Sequence, residues 1–126
     1  MDKNKKTVFI VDDNLTNLMV GKKALAGHYN VFTLNAGQVL IGMLENIKPD
    51  LILLDINMPE MDGFDTLKCL KANEKTANIP VVFLTAMTDD DTVMAALHYG
   101  VNDYITKPFQ PADLLIRVES HLKTLL

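Results

Sequence analysis

Leu51-Ile52-Leu53-Leu54-Asp55 is apolar through four residues and then stops at a carboxylate. A run without polar alternation suits a strand covered on both faces, as in a parallel sheet with helices packed on either side. Val8-Phe9-Ile10-Val11 repeats the pattern and stops at Asp12-Asp13, and Val81-Val82-Phe83-Leu84 stops at Thr85. Residues 30–34 and 104–106 carry β-branched and aromatic side chains between helical patterns, completing a set of five strands, the last followed by Lys107.

Helical signals fill the intervals. Asn14 caps a helix predicted over 15–26, with Gly27 as its stop signal. Val39, Leu40, Met43, Leu44 and Ile47 recur at helical spacing until Pro49 forbids continuation. A third helix is predicted over 64–72, facing inward through Phe64, Leu67 and Leu70. Thr88 and Asp89-Asp90-Asp91 precede a fourth over 93–99, closed by Gly100; the acidic triplet reads as capping at the positive end of a helix dipole rather than as a metal site. Pro111 opens the last helix, whose stripe is Leu114, Leu115, Val118, Leu122 and Leu125. Five strands alternating with five helices, without repeats or linkers, predict a doubly wound α/β fold.

A chain of 126 residues allows one domain, spanning 1–126 with residues 1–6 as a short tail. Hydrophobic residues make up 48%, enough for a core, and mean hydropathy is +0.12. Sixteen acids against 12 bases leave −4, which argues against direct nucleic-acid binding. Lys3, Lys5 and Lys6 form the one basic cluster and read as a solvated arm. Cys69 is the sole cysteine, so no intrachain disulfide forms; it reads as core or half-buried filler, and its isolation suits a reducing compartment. No apolar run approaches the roughly 18 residues of a membrane span, and Asp12-Asp13 interrupts any secretory signal, so the expected location is cytoplasmic without membrane insertion. The chain ends on Leu125-Leu126 with no output module behind it, which reads as either an excised fragment, the favoured reading, or a stand-alone regulator.

In such sheets functional groups gather beyond the carboxyl ends of the strands. Asp12, Asp13, Asp55, Thr85 and Lys107 then converge on one spot. Three carboxylates repel, and one lysine neutralises only one of them; the remainder calls for a cation. An all-oxygen set with few protein ligands suits Mg²⁺, whereas His28, His98 and His121 follow no ligand-like spacing. Cation, ammonium and hydroxyl together form a phosphoryl-binding set, and an Asp side chain can itself become an acyl phosphate. Asp55, alone at its strand end, is the candidate nucleophile; taken singly, it also reads as an ordinary turn or cap residue.

Four segments resemble the receiver domains of two-component response regulators: Val11-Asp12-Asp13-Asn14; Leu54-Asp55-Ile56-Asn57-Met58-Pro59-Glu60-Met61-Asp62-Gly63; Leu84-Thr85-Ala86; and Asp103-Tyr104-Ile105-Thr106-Lys107-Pro108-Phe109. The resemblance spans essentially the whole chain and implies a flavodoxin-like fold of sheet order 2-1-3-4-5. It implies that Asp55 takes a phosphoryl group from a phosphohistidine on a sensor histidine kinase or phosphotransfer protein. It further implies Mg²⁺ held by Asp13, Asp55 and the Asn57 backbone carbonyl, with Asp12 acting mostly through metal-bound water. Thr85 and Lys107 would contact phosphoryl oxygens, and Lys107-Pro108 would be cis. Thr85 and Tyr104 would form the switch, although Tyr104 also reads as a core strand aromatic. Asn57 and Met87 would flank the reaction site and influence phosphoryl lifetime, Pro59 and Gly63 would shape the loop, and the face of the fourth helix, last strand and last helix would serve an output domain, downstream protein or homodimer. Such a domain catalyses its own phosphorylation and dephosphorylation rather than turning over an outside substrate. The opening 12–17 resembles receivers of hybrid kinases and phosphorelays, while 109–123 resembles receivers followed by enzymatic output modules.

Competing classes fare differently. An EF-hand fails because Asn17 replaces its glycine and Lys23 its glutamate. A haloacid-dehalogenase-like phosphatase needs an acid where Asn57 stands. A flavodoxin-like flavin binder would set its phosphate against Asp12 and Asp13, and a pseudo-receiver acting purely as an interaction module would not need the complete acceptor set.

Overall fold

The computed structural model describes residues 2–86 and 89–123. Five parallel strands, β1 (Thr7–Val11), β2 (Asn30–Leu34), β3 (Leu51–Asp55), β4 (Val81–Thr85) and β5 (Asp103–Thr106), form one sheet in the order β2-β1-β3-β4-β5. Five helices alternate with them: α1 (Leu15–Leu25), α2 (Gly37–Met43), α3 (Gly63–Ala72), α4 (Asp90–His98) and α5 (Pro111–Leu122).

The strands without alternation are buried on both sides because each face has its own helix layer. Phe9, Val11, Ile52, Leu54, Val81 and Phe83 join Leu40, Leu67, Leu70 and Ala96 in the core on the α2–α4 side. Their neighbours Val8, Ile10, Leu51, Leu53, Val82 and Leu84 point the other way, onto Leu18, Leu25, Leu114, Val118 and Leu122 of α1 and α5. A two-residue side-chain period distributes each strand between two cores, and each fully buried Leu or Phe contributes roughly 1.5–3 kcal/mol. Register then fixes the working edge. Val11 pairs with Leu54, Asp55 with Leu84 and Thr85 with Thr106, so Asp12 is level with Asp55, and Thr85 and Lys107 follow one and two residues further along the same edge.

The helix ends follow local chemistry. Asn14 caps α1 by accepting from the Asn17 N–H, and Gly100, at φ +92°, stops the chain just beyond α4. Asp89 is the cap of α4, accepting from the Thr92 N–H, with Asp90 and Asp91 in the first turn as the capping reading expects.

Three expectations need correction. The second helix ends at Met43 rather than reaching Ile47, because Glu45 and Asn46 donate to carbonyls three residues back and tighten the chain into turns before Pro49. Val39 is exposed, leaving Leu40 as the helix's fully buried apolar contact. Cys69 is exposed, not filler. Thr66, Leu67 and Leu70 set the inward face of α3, and Cys69 falls about 100° from its centre on a helix of 3.6 residues per turn. The N-terminal segment, although exposed, is tied down: the Asn30 amide donates to the carbonyls of Asp2 and Lys5, and the Lys6 ammonium donates to the Leu122 carbonyl at the end of α5. Met87, Thr88 and Leu125 lie outside the described residues.

Candidate functional site

Asp12 follows β1, Asp55 closes β3 and Thr85 closes β4; their exposures are 0%, 3% and 2%. Lys107, one residue past β5, is fixed by its backbone N–H donating to the Thr85 carbonyl at 2.8 Å. Its Nζ lies 2.8 Å from Asp12 Oδ2 and 2.9 Å from Asp55 Oδ1, bridging the two buried carboxylates. Asp13 is exposed beside them, and ligand oxygens of Asp12, Asp13 and Asp55 all fall within 4.8 Å of one another. The spacing of strand ends in the sequence thus becomes one acidic pocket with a single ammonium across it.

Both buried acids have further partners. Asp12 Oδ1 accepts from the Asn14 N–H at 2.9 Å, and Oδ2 also accepts from the Asn17 side-chain amide at 3.2 Å. Asp55 Oδ1 accepts from the Asn57 N–H at 3.3 Å. Burial pushes the Asp55 carboxyl up from its ordinary 3.8 to about 6; the Lys107 hydrogen bond opposes the shift and the Asp12 charge adds to it. For Lys107, burial alone would lower the pKa, but hydrogen bonds to Asp12 and Asp55 and their charges together raise it.

The raised Asp55 pKa sets a pH dependence. Well below pH 3.8 the group is protonated in both folded and unfolded chains. As pH rises from the ordinary 3.8 to about 6, only the unfolded chain releases the proton, so the metal-free domain loses stability across that window. Asp55→Asn is expected to flatten this part of the stability curve and to raise stability at pH 7.5 without added metal, as read by urea unfolding. An unchanged curve would contradict the burial-driven shift.

The loop after Asp55 is held closely. The Met61 N–H donates to the Pro59 carbonyl, and Glu60 between them has φ 67°, a three-residue turn in the left-handed region that costs a non-glycine residue strain. The Gly63 N–H donates to the Ile56 carbonyl, and a Cβ at Gly63 would lie 2.6 Å from the Asp55 carbonyl oxygen and 2.7 Å from Ile56 Cα. Absence of a side chain at Gly63 is therefore what lets α3 start against the backbone of Asp55. Lys107-Pro108 is cis. Tyr104 is half-buried, opposite Phe83 in the β4–β5 register and packed against the core on the α2–α4 side, and its carbonyl accepts from Arg117 Nη2.

Sequence reasoning placed Asp12, Asp13, Asp55 and Lys107 together, and the structure brings them together. Asn57 reaches the pocket through its N–H. The Asn17 contact was not anticipated; an amide at the third helical position, facing back toward the acid pair, was the available signal. Nor was the left-handed Glu60: Pro59, Asp62 and Gly63 signal a turn, but a glutamate gives no sign of taking the positive φ within it. The donor set fits a hard divalent cation: three carboxylates and no nitrogen or sulfur ligand.

Fold and pocket define a class: a flavodoxin-like α/β domain with a lysine-bridged acidic site at the carboxyl edge of its sheet. Residues 8–119 match the family model of the response regulator receiver domain, and the chain belongs to that family. It is 35% identical over 122 residues to a probable cyclic di-GMP phosphodiesterase of Vibrio cholerae, covering 97% of this chain and 28% of that protein. To the DNA-binding response regulator MtrA of Mycobacterium tuberculosis it is 33% identical over 124 residues, covering 98% of this chain and 53% of the relative. The chain thus spans about half the length of that regulator and less of the phosphodiesterase. The chemotaxis protein CheY4 of Vibrio cholerae superposes with a TM-score of 0.89 at 26% identity, covering 94% of this chain and 99% of that one. Receiver domains act in two-component systems, where phosphorylation and Mg²⁺ are general features and sensor kinases and output domains are the partners. Among the described residues no helix is long and apolar enough to cross a membrane.

Proposed function

We propose that Asp55 is the phosphoryl acceptor of a signalling switch and that the single domain spans the whole chain. The observation that carries this is Lys107 bridging Asp12 and Asp55, both buried at the carboxyl edge of the sheet. Asp55 Oδ attacks the phosphorus of a phosphohistidine on a sensor histidine kinase or phosphotransfer protein; the P–N bond breaks, a P–O bond forms, and imidazole leaves with the electron pair. Lys107 would pair with a phosphoryl oxygen as Asp55 gives up its charge, and Thr85 would donate its hydroxyl. Asp13, Asp55 and the Asn57 carbonyl would hold Mg²⁺, with Asp12 supporting through water; bound there, the cation neutralises charge on the phosphoryl oxygens.

The readout runs through Thr85 and Tyr104. A phosphoryl group adds charge and acceptor oxygens next to Thr85, and movement of that side chain makes room for the Tyr104 ring. The face of α4, β5 and α5 then meets an output domain, a downstream protein or a second copy. Similarity to the Vibrio cholerae phosphodiesterase supports an enzymatic output, and similarity to MtrA a DNA-binding one, in each case outside this domain; cytoplasmic location follows from the proposed partners. A flavin phosphate would have to approach Asp12 and Asp13, so the redox alternative lacks support.

Incubation with a small phosphodonor and Mg²⁺, followed by intact mass measurement, tests the proposal. One phosphoryl adduct is expected on the wild type and none on Asp55→Asn or after chelation of the metal. A folded, Mg²⁺-binding wild type that stays unmodified would point instead to a pseudo-receiver.

A further inference from the structure

In the opening Asp12-Asp13-Asn14-Leu15-Thr16-Asn17, the proposed chemistry uses the two acids and gives no role to Asn17, although its side chain reaches one of them. Asn17 sits at the third position of α1, where a glutamate or glutamine commonly reaches back to the N–H of the capping residue. Here that N–H, from Asn14, is already taken by Asp12 Oδ1 at 2.9 Å. The Asn17 amide extends further back instead and donates to Asp12 Oδ2 at 3.2 Å, the oxygen that also receives Lys107 at 2.8 Å. A carboxylate at position 17 would face Asp12 with like charge, whereas an amide supplies a donor.

A buried carboxylate has two oxygens and about four lone-pair directions, and its orientation is set by the donors around it. Asn14 fixes one oxygen of Asp12 and Lys107 the other, but Lys107 is shared with Asp55 and sits on a flexible stem. Asn17 is the second donor to that shared oxygen, and its own backbone is anchored by the bond from its N–H to Asn14 Oδ1 at 3.0 Å. Because this anchor is a backbone bond, it persists whatever side chain stands at 17.

We infer that Asn17 is a positioning residue of the phosphoryl-transfer site, holding the Asp12 carboxylate so that Lys107 bridges to Asp55 and the acid cluster keeps the shape a divalent cation needs. The inference rests on the acceptor role proposed for Asp55. Without the amide, the Asp12 carboxylate turns toward Lys107, drawing the ammonium from Asp55 and loosening the pocket.

The test compares wild type, Asn17→Leu, which keeps the size without the donor, and Asn17→Gln, which keeps the donor. Mg²⁺ affinity is measured by calorimetry on the unphosphorylated protein, the phosphorylation rate against Mg²⁺ concentration with a small phosphodonor, and Tm in metal-free solution. Asn17→Leu is expected to weaken Mg²⁺ binding about fivefold to tenfold, the scale of one ordinary hydrogen bond, and to slow phosphorylation at limiting Mg²⁺. Asn17→Gln is expected to recover most of both. A lower Tm with unchanged Mg²⁺ affinity and rate would mean a merely structural contact and overturn the inference, as would equal defects in the Leu and Gln variants. A wild type that binds Mg²⁺ but takes no phosphoryl group at Asp55 overturns the acceptor proposal instead, and the Mg²⁺ affinities still decide whether Asn17 shapes the cluster.

Discussion

Gly63→Ala is expected to destabilise the domain by about 2–3 kcal/mol and to slow phosphorylation of Asp55 by about 100-fold. The added Cβ would lie 2.6 Å from the Asp55 carbonyl oxygen and 2.7 Å from Ile56 Cα, and both are backbone atoms that cannot swing aside. Either α3 retreats, breaking the bond from the Gly63 N–H to the Ile56 carbonyl, or the end of β3 shifts and carries the acceptor with it. Gly21 offers an internal comparison. A Cβ there meets the tip of the Ile10 side chain at 2.8 Å, which can rotate away, so Gly21→Ala should lose far less. Urea unfolding and phosphodonor kinetics on both variants check this; similar losses at the two positions would contradict the argument from backbone contact.

Lys107→Met is expected to reduce the phosphorylation rate by about 100-fold or more, the usual scale for removing a charged donor from a developing phosphoryl or oxyanion centre. Its effect on stability depends on pH. With the ammonium gone, Asp12 and Asp55 face each other unneutralised, and the lost hydrogen bond and charge had been holding the Asp55 pKa down. The Asp55 pKa therefore rises above about 6, so the protein takes up a proton near neutrality rather than keeping two bare charges. Destabilisation of about 2–4 kcal/mol is expected at pH 8, shrinking as pH falls and Asp55 is protonated. Added Mg²⁺ should restore part of the loss by binding the folded state. Equal destabilisation at pH 5 and pH 8 would contradict this account.

The fold was legible because its strands announce themselves. Val8 to Val11, Leu51 to Leu54 and Val81 to Leu84 are short apolar runs without alternation, ended by polar residues, as suits strands of a sheet covered on both sides, and all are buried. The pocket was legible for a related reason: in a parallel sheet the residue after each strand lands on the same edge, so Asp12, Asp55, Thr85 and Lys107 could be brought together by spacing alone. What escaped depended on contacts that leave no periodic trace. Ile47 continues the helical spacing of Leu40 and Leu44, yet the backbone had already tightened after Met43. Cys69 belongs to a residue type that is usually buried, and only the register of α3 turns it outward. Glu60 takes a left-handed conformation because its neighbours Pro59 and Met61 close a turn around it, not because of its own preference. Asn17 finds Asp12 only because the Asn14 N–H is already occupied.

The most direct test of the central claim is to locate the phosphoryl group. An acyl phosphate on an aspartate is reduced by borohydride to homoserine, so phosphodonor treatment with Mg²⁺, borohydride reduction and peptide mass spectrometry reads the acceptor by position. Conversion at Asp55 alone, with Asp12 and Asp13 unmodified, is the predicted result. Conversion at Asp12 or Asp13, or none in a folded Mg²⁺-binding sample, would contradict the assignment of Asp55.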